Sequence, residues 1–402
     1  MKFNKVFSTA LAAMMAVTLT ACGSSSSSSS SSTSGSDSGS SGDAFVLGGS
    51  GPLSGDAAVY GNAVKNGATI AVDEINKEGK VKFNFVFEDD QADGEKAVTA
   101  FNNLMDKGMQ VSIGTTTSGA GQAVSSYYKD ENIFAITPSG SSPAIIYQDT
   151  KNYSDPYGNI FQMCFTDPNQ GTASADYISK HPDLGKKVGI IYRNDDNYST
   201  GIYSKFKEEA AKVGLDVVYE GGFPNGTTDY STYVKGCEDA GADLVFLPIY
   251  YQPASQILIQ ANKDSYKANF FGCDGMDGIL TLDGFDTSLA EGLYMLTPFS
   301  ADAADEKTQN FVKKYKEDYG ETPNQFAADA YDAVYAIAQA LENAGSKPSD
   351  ATDDITSALV KQFTSMSFNG LTGTNVTWSK SGEVTKDPKA VVIQNGKYVS
   401  VD

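Results

Sequence analysis

The chain has 402 residues, with 30 basic and 50 acidic side chains, a formal charge of −20 and one histidine. That acidic excess argues against nucleic acid or anionic lipid as a partner, because both would repel it. Cys164, Cys237 and Cys273 lie far apart without metal-ligand spacing, which excludes a disulfide framework and leaves one pair or three buried thiols open.

Lys2 and Lys5 precede an apolar run over residues 7–20 that is too short to span a bilayer and has signal-peptide flanks. It ends in Leu19-Thr20-Ala21-Cys22, which resembles the lipobox of bacterial lipoproteins. The resemblance implies a signal peptide over 1–21 and lipidation of Cys22, whose two acyl chains would anchor the chain firmly. Residues 22–43 are almost all Ser and Gly and predict a flexible tether with a root-mean-square reach of roughly 25 Å. Without Lys2 and Lys5 the charge becomes −22. Contact with the membrane is expected through the lipid anchor only.

From residue 44, short β-rich runs alternate with helical patterns. Phe45–Gly48, Phe83–Phe87, Val111–Ile113 and Ile133–Ile136 read as strands. The helix after the first, Ala57–Asn76, puts Tyr60, Val64, Ala68, Ala71 and Ile75 on one face. A second series of strands follows at Val188–Tyr192, Leu215–Tyr219, Leu244–Ile249 and Phe270–Phe271. Helical stretches Ser199–Val213, Ser231–Ala240 and Pro253–Lys263 separate them, and residues 161–171 mark the break between the series. Three more helical stretches, Glu306–Tyr319, Asn324–Ala344 and Asp353–Met366, precede strand-like Val376–Trp378 and Ala390–Ile393. Continuous apolar strands between helices predict parallel sheets covered on both faces. Two such α/β lobes would bind a ligand between the carboxyl ends of their strands.

Those ends are rich in hydroxyls and aromatic rings. Gly49-x-Gly51 lacks the third glycine and acidic partner of a dinucleotide site, and "GTTTSGAGQ" at 114–122 lacks a P-loop lysine. The latter opens a helix, where Thr117 or Ser118 either caps it or holds a small anion such as a carboxylate. "AITPSGSSP" at 135–143 makes a turn whose Ser139, Ser141 and amides suit a zwitterion better than a phosphate. In the second series, Tyr198, Tyr250 and Tyr251 follow strands and offer flat walls with polar tips. Asp274, in "FFGCDGMDG", either turns the chain or meets a ligand. Asp89-Asp90 and Asp195-Asp196 read as solvated or capping carboxylates. There is no Gly-x-Ser-x-Gly elbow, and His181 beside Pro182 reads as a surface-loop residue, so hydrolytic chemistry and a metal centre lack support.

Taken in order, "GPLSGDAAVYGNAVKNGATIAVDEIN", "IGTTTSGAGQAVSSYY", "NIFAITPSGSSPAI", "FFGCDGMDG" and "QFAADAYDAVYAIAQAL" resemble the leucine/isoleucine/valine-type solute-binding proteins of ABC transporters. The resemblance covers Ala44 to Asp402. It implies two Rossmann-like lobes with parallel sheets joined by a multi-strand hinge, the type I periplasmic-binding-protein fold. Lobe 1 would comprise 44–165 plus 297–387, and lobe 2 would comprise 166–296 plus 388–402. By the family pattern Ser118, with Thr116 and Thr117 before it, receives an amino acid's carboxylate. Ser139, Gly140 and Ser141 touch both backbone charges, and Asp274 takes the ammonium. Tyr198 and Tyr250 close from the second lobe, and Tyr60 walls the ligand side chain. Three departures stand out: Ala328 replaces a pocket aromatic, Thr117 replaces a disulfide cysteine, and Asp274 is one methylene shorter than some members' glutamate.

The expectation is therefore a monomeric, lipid-anchored extracytoplasmic receptor without cofactor or catalysis. It would capture a small amino acid, branched-chain or related, and deliver it to membrane permease subunits. An amide, urea or aromatic acid as ligand, or a sensor feeding a signalling partner, is the alternative.

Overall fold

The computed structural model of the chain describes residues 42–386 and 388–401. The expected signal peptide over 1–21, the expected lipidation of Cys22 and all but the last two residues of the expected tether over 22–43 lie outside them.

The first sheet holds β1 (Phe45–Gly51), β2 (Phe83–Asp89), β3 (Val111–Thr115), β4 (Phe134–Thr137) and β7 (Ile160–Gln162). All run parallel in the order β2-β1-β3-β4-β7. The apolar runs of β1, β3, β4 and β7 are buried almost throughout, as covered parallel strands require, while the edge strand β2 buries only Phe83 fully. The small hairpin of β5 (Tyr147–Asp149) and β6 (Ser154–Pro156) stands apart. Crossovers α1 (Ala58–Glu78), α2 (Gly94–Asp106) and α3 (Ser118–Asp130) connect the first four strands. All five stripe residues of α1, from Tyr60 to Ile75, are buried. The helix stops at Gly79, whose φ of 78° admits a left-handed cap without a β-carbon penalty.

After α4 (Asp167–Lys180) the second sheet starts, with β8 (Lys187–Arg193), β9 (Asp216–Phe223), β10 (Leu244–Leu247), β11 (Asn269–Gly272) and β12 (Tyr294–Thr297). Helices α5 (Asn197–Val213), α6 (Ser231–Asp239) and α7 (Tyr251–Asp264) connect the first four of them. The chain then leaves through α8 (Glu306–Tyr319), α9 (Gln325–Ala344) and α10 (Thr352–Phe363). It returns as β13 (Lys389–Gln394) and β14 (Lys397–Ser400). The sheet order is β14-β13-β12-β11-β10-β8-β9, with the last two strands antiparallel to their neighbours. Both sheets place their first strand between the second and the third, which creates a switch point at β1/β3 and at β8/β10.

The chain thus crosses between sheets three times: after Gln162, after Thr297 and between Lys386 and Lys389. α9 lies so close on α1 that a β-carbon at Gly67 would stand 2.0 Å from the Ala327 carbonyl oxygen. The last segment before the third crossing is tied to α9 by charge. Asp332 accepts the Leu371 and Thr372 amides, each at 2.8 Å, and Lys386 pairs with Asp329 at full burial.

Three local expectations change. Val376–Trp378 makes only isolated bridges, Phe368 with Val376 and Trp378 with Val384. β9 runs on to Phe223 through Gly221-Gly222, where the Tyr219 and Tyr192 rings leave no room for side chains. Asp90 is neither solvated nor a simple cap. It is fully buried under the Ser50 hydroxyl at 2.8 Å, and burial pushes its carboxyl up to about 6. Cys164, Cys237 and Cys273 are buried free thiols.

Candidate ligand-binding site

The carboxyl ends of both sheets face one small cavity. From the first sheet, β3 runs into Thr116, Thr117 and Ser118, the last opening α3. Thr117 occupies the cap position without capping, so its Oγ1 is buried and unpartnered. Thr116 turns its hydroxyl onto the Ser50 carbonyl at 3.1 Å, and Ser118 Oγ accepts the Ser142 amide at 3.2 Å. The turn after β4 is held from behind. Gly140 donates its amide to Thr137 Oγ1 at 2.8 Å, and its carbonyl accepts Gln162 Nε2 at 2.9 Å. That arrangement leaves Ser139 and Ser141 on the cavity wall, with Ser141 Oγ buried and unpartnered. Gly140 itself does not line the cavity; it is wedged so closely on Ile145 and Thr137 that a β-carbon would fall 2.6 Å from Ile145 Cδ1.

From the second sheet come Tyr198 in the first turn of α5, Tyr250 at the start of α7, and Asp274 just beyond β11. The Tyr198 hydroxyl donates to Asp274 Oδ1 at 2.7 Å and accepts the Gly275 amide at 2.9 Å. Tyr250 leans on Tyr198, ring centres 5.0 Å apart, and meets Tyr60 edge-on at 5.2 Å. Tyr60 reaches across from α1, donating to the Gly275 carbonyl at 2.5 Å and accepting the Tyr251 amide at 3.3 Å. Nine of the ten expected site residues therefore wall one space, and the tenth supports the turn behind it.

Burial governs the electrostatics. Asp274 is 2 % exposed, and desolvation lifts its carboxyl to about 7, although Tyr198, Gln170 and the Gly275 amide pull the other way. The Tyr60, Tyr198 and Tyr250 phenols are pushed well above their ordinary range, chiefly by burial, so they act as neutral hydroxyls. No lysine, arginine or histidine lines the cavity. The sole histidine, His181, caps α4 and stacks on Tyr177 with ring centres 4.0 Å apart.

Three residues escaped the sequence reading, among them Gly275, which lines the cavity beside Asp274. Phe326, on α9, lines the cavity and packs edge-on against Tyr60 at 4.7 Å. It supplies the aromatic wall that Ala328, two residues on and fully buried, does not. Asp167 opens α4 at zero exposure, its amide on the Ser141 carbonyl at 3.0 Å. Neither of its carboxylate oxygens has a partner at good hydrogen-bond geometry, although the nearby Ser141 hydroxyl is close enough to pull the carboxyl down. Burial first, then Asp274 and Asp196, push its carboxyl well up. Its only sequence signal, Thr166-Asp167-Pro168, announces a helix start and nothing about burial.

The two halves meet over a cavity of about 10 Å³, room for about one water. At Thr117 and Tyr250 it adjoins an outer vestibule of about 650 Å³, bordered by both halves of the molecule. The only arginine of the chain, Arg193, stands there with its Nε 2.7 Å from Asp195 Oδ1. The buried Asp274 carboxylate opposite the unpartnered hydroxyls of Thr117 and Ser141, with no cation among the lining residues, suits a group that brings both charges. Among the described residues, no cluster of three or more His, Cys, Asp or Glu is placed to hold a metal ion.

Known proteins share the sequence pattern and the fold. A family model described as periplasmic binding protein matches residues 45–397. The leucine-, isoleucine-, valine-, threonine- and alanine-binding protein of Pseudomonas aeruginosa is 27% identical over 306 residues, 75% of this chain and 79% of its own. The Leu/Ile/Val-binding protein of Escherichia coli K12 is 28% identical over 339 residues, 83% and 86% of the two chains. Among solved structures, the branched-chain amino acid transporter substrate binding protein LivJ from Streptococcus pneumoniae, in complex with isoleucine, superposes with a TM-score of 0.77. It is 25% identical, over 89% of this chain and 100% of that one. A solute binding protein from R. palustris in complex with benzoate also reaches 0.77, at 20% identity over 89% and 95%, and shares the fold.

Proposed function

The chain belongs to the periplasmic binding protein family, and from that premise we propose that it is the extracytoplasmic substrate-binding component of an ABC transporter. Its ligand is a small α-amino acid, branched-chain or related, captured between the two halves and handed to a membrane permease. The observation that carries this reading is the buried facing of Asp274 against the unpartnered hydroxyls of Thr117 and Ser141. The relatives' printed ligands, leucine, isoleucine and valine, supply the side-chain class.

The residues divide the work. Ser118, Thr117 and Thr116, with Ser139 and Ser141, receive the ligand carboxylate at the amino end of α3, where the helix dipole favours an anion. Asp274 takes the ammonium, and Asp167 holds the Ser141 carbonyl from behind through its amide. Tyr60, Tyr250 and Phe326 enclose the side chain, while Tyr198 orients Asp274. A ligand enters an open cleft, binds the first half, and draws the second over it. Closure removes water from the charges and strengthens each hydrogen bond.

The three crossings support a division into lobe 1, 44–165 plus 297–387, and lobe 2, 166–296 plus 388–402, which rotate about them. Binding alone, without bond chemistry, completes the role of a monomer held to the membrane by lipid on Cys22. Calorimetry on the purified protein tests the reading with leucine, isoleucine and valine against benzoate, urea and an amide. Micromolar or tighter binding of an aliphatic amino acid is expected; binding confined to benzoate, urea or the amide would overturn it.

A further inference from the structure

One turn of the second half carries both Asp274 and Asp277, the first opening a 3₁₀ turn and the second following it directly. Its own half grips it through Tyr198, on Asp274 Oδ1 at 2.7 Å, and through Gln170, whose Oε1 accepts the Asp274 amide at 3.2 Å. The Tyr398 hydroxyl accepts the Gly278 amide at 3.2 Å and keeps its proton for Asp277. The first half grips the same turn with three hydrogen bonds. Gln325, the first residue of α9, donates its amide to Asp277 Oδ2 at 2.9 Å and its Nε2 to the Asp274 carbonyl at 3.2 Å. Tyr60 donates to the next carbonyl, that of Gly275, at 2.5 Å. Gln325 is buried but does not line the cavity, where Phe326 represents its helix.

We infer that Gln325 is a positioning residue for capture: it clasps the Asp274 turn to the first half and so sets how long the halves stay shut. The inference rests on the closing receptor proposed above. A buried amide is costly unless it is paired, and Gln325 spends a backbone and a side-chain donor on the opposite half. The first amide of a helix has no acceptor within its own helix, and the Asp277 carboxylate meets it where the helix dipole favours an anion. The clasp also holds the backbone of the residue assigned to the ligand ammonium. None of the three bonds passes through a ligand, so they form whenever the halves meet. Loss of one therefore shifts closure alike in the empty and the occupied protein, and rates of entry and escape change more than affinity does.

Gln325→Met keeps the length and the backbone amide and removes the Nε2 donor, while Asp277→Asn removes the charge that meets the helix end. Opening is read in the ligand-free protein by hydrogen exchange at the Val59 amide, which donates across the seam to the Tyr251 hydroxyl at 3.4 Å. Both variants should exchange there about threefold faster or more. Gly189→Ala, which crowds Cys237 in the core of the second half away from the seam, should unfold at lower urea yet keep wild-type exchange at Val59. In stopped flow, leucine should leave Gln325→Met about fivefold faster, with the dissociation constant rising by less than that. Unchanged Val59 exchange in the two clasp variants would overturn the inference. So would equal acceleration in Gly189→Ala, which makes Val59 a reporter of unfolding. A dissociation constant that rises in step with escape would overturn it too, since that marks a ligand contact. Val59 exchange is read without any amino acid, so failure of the amino-acid reading leaves this arm intact.

Discussion

Replacing Asp274 by asparagine keeps its shape and removes its charge, and it should act in opposite directions on the empty and the occupied protein. In the closed, empty form the carboxyl sits at about 7 instead of 3.8 because burial penalises its charge. A raised acid contributes full stability below 3.8 and loses it as pH climbs towards and through about 7. Above that the penalty amounts to as much as about 4 kcal/mol, at 1.36 kcal/mol per unit, and the asparagine variant escapes it. Its melting temperature should therefore match wild type near pH 4 and exceed it at pH 8. With an amino acid bound, the same change strips a buried ammonium of its counter-charge, a loss of about 3–5 kcal/mol, or two to three and a half orders of magnitude in affinity. Calorimetry with leucine and with 4-methylpentanoate, its deaminated analogue, separates the two effects. Leucine should lose far more than the analogue. Equal losses, or a variant less stable than wild type at pH 8, would refute the assignment of Asp274 as ammonium partner.

Ser141→Ala should raise the stability of the empty protein by about 1 kcal/mol, since a buried hydroxyl without a partner disappears, and weaken leucine about five- to tenfold by calorimetry. Lys386→Met should cost about 3–5 kcal/mol in urea unfolding because Asp329 is left buried and unpaired; adding Asp329→Leu should recover most of it. Gly67→Ala drives a methyl into the Ala327 carbonyl and should destabilise by about 1–3 kcal/mol, read from the same urea midpoints.

The path of the chain was legible because parallel strands buried on both faces read as apolar runs. Val111–Ile113 and Val188–Tyr192 mark β3 and β8 almost to the residue. Short strands without such a run escaped: β7 hides in Ile160-Phe161-Gln162, and β12 follows a loop of turn residues. Val376–Trp378 looked like a strand because valine and tryptophan favour one, yet Trp378 packs on Phe363 and donates to the Gln162 carbonyl at 2.8 Å. Every proposed contact except Tyr60, which sits on α1, could be placed after a strand, where α/β sheets bind ligands, while the residue roles came from the family resemblance. Asp167 and Phe326 could not. A helix-start aspartate normally faces water, and α9 is apolar on nearly every side, so only tertiary packing singles out the phenylalanine that meets Tyr60.

The position of β13 has a consequence for how the molecule is made. Tyr294 pairs with Val392 and Leu296 with Ala390, so β12 waits for a strand that the chain delivers only after α8, α9 and α10. In the interval α8, α9 and α10 have to settle on the first half, since they carry the chain back to the crossing. Contacts this distant in sequence close slowly. Until they do, β12 presents an unpaired edge to any other extended chain. A protein clipped before Lys389 would keep that edge for good. The β13–β14 hairpin thus covers the edge of β12 and extends the second sheet beyond it.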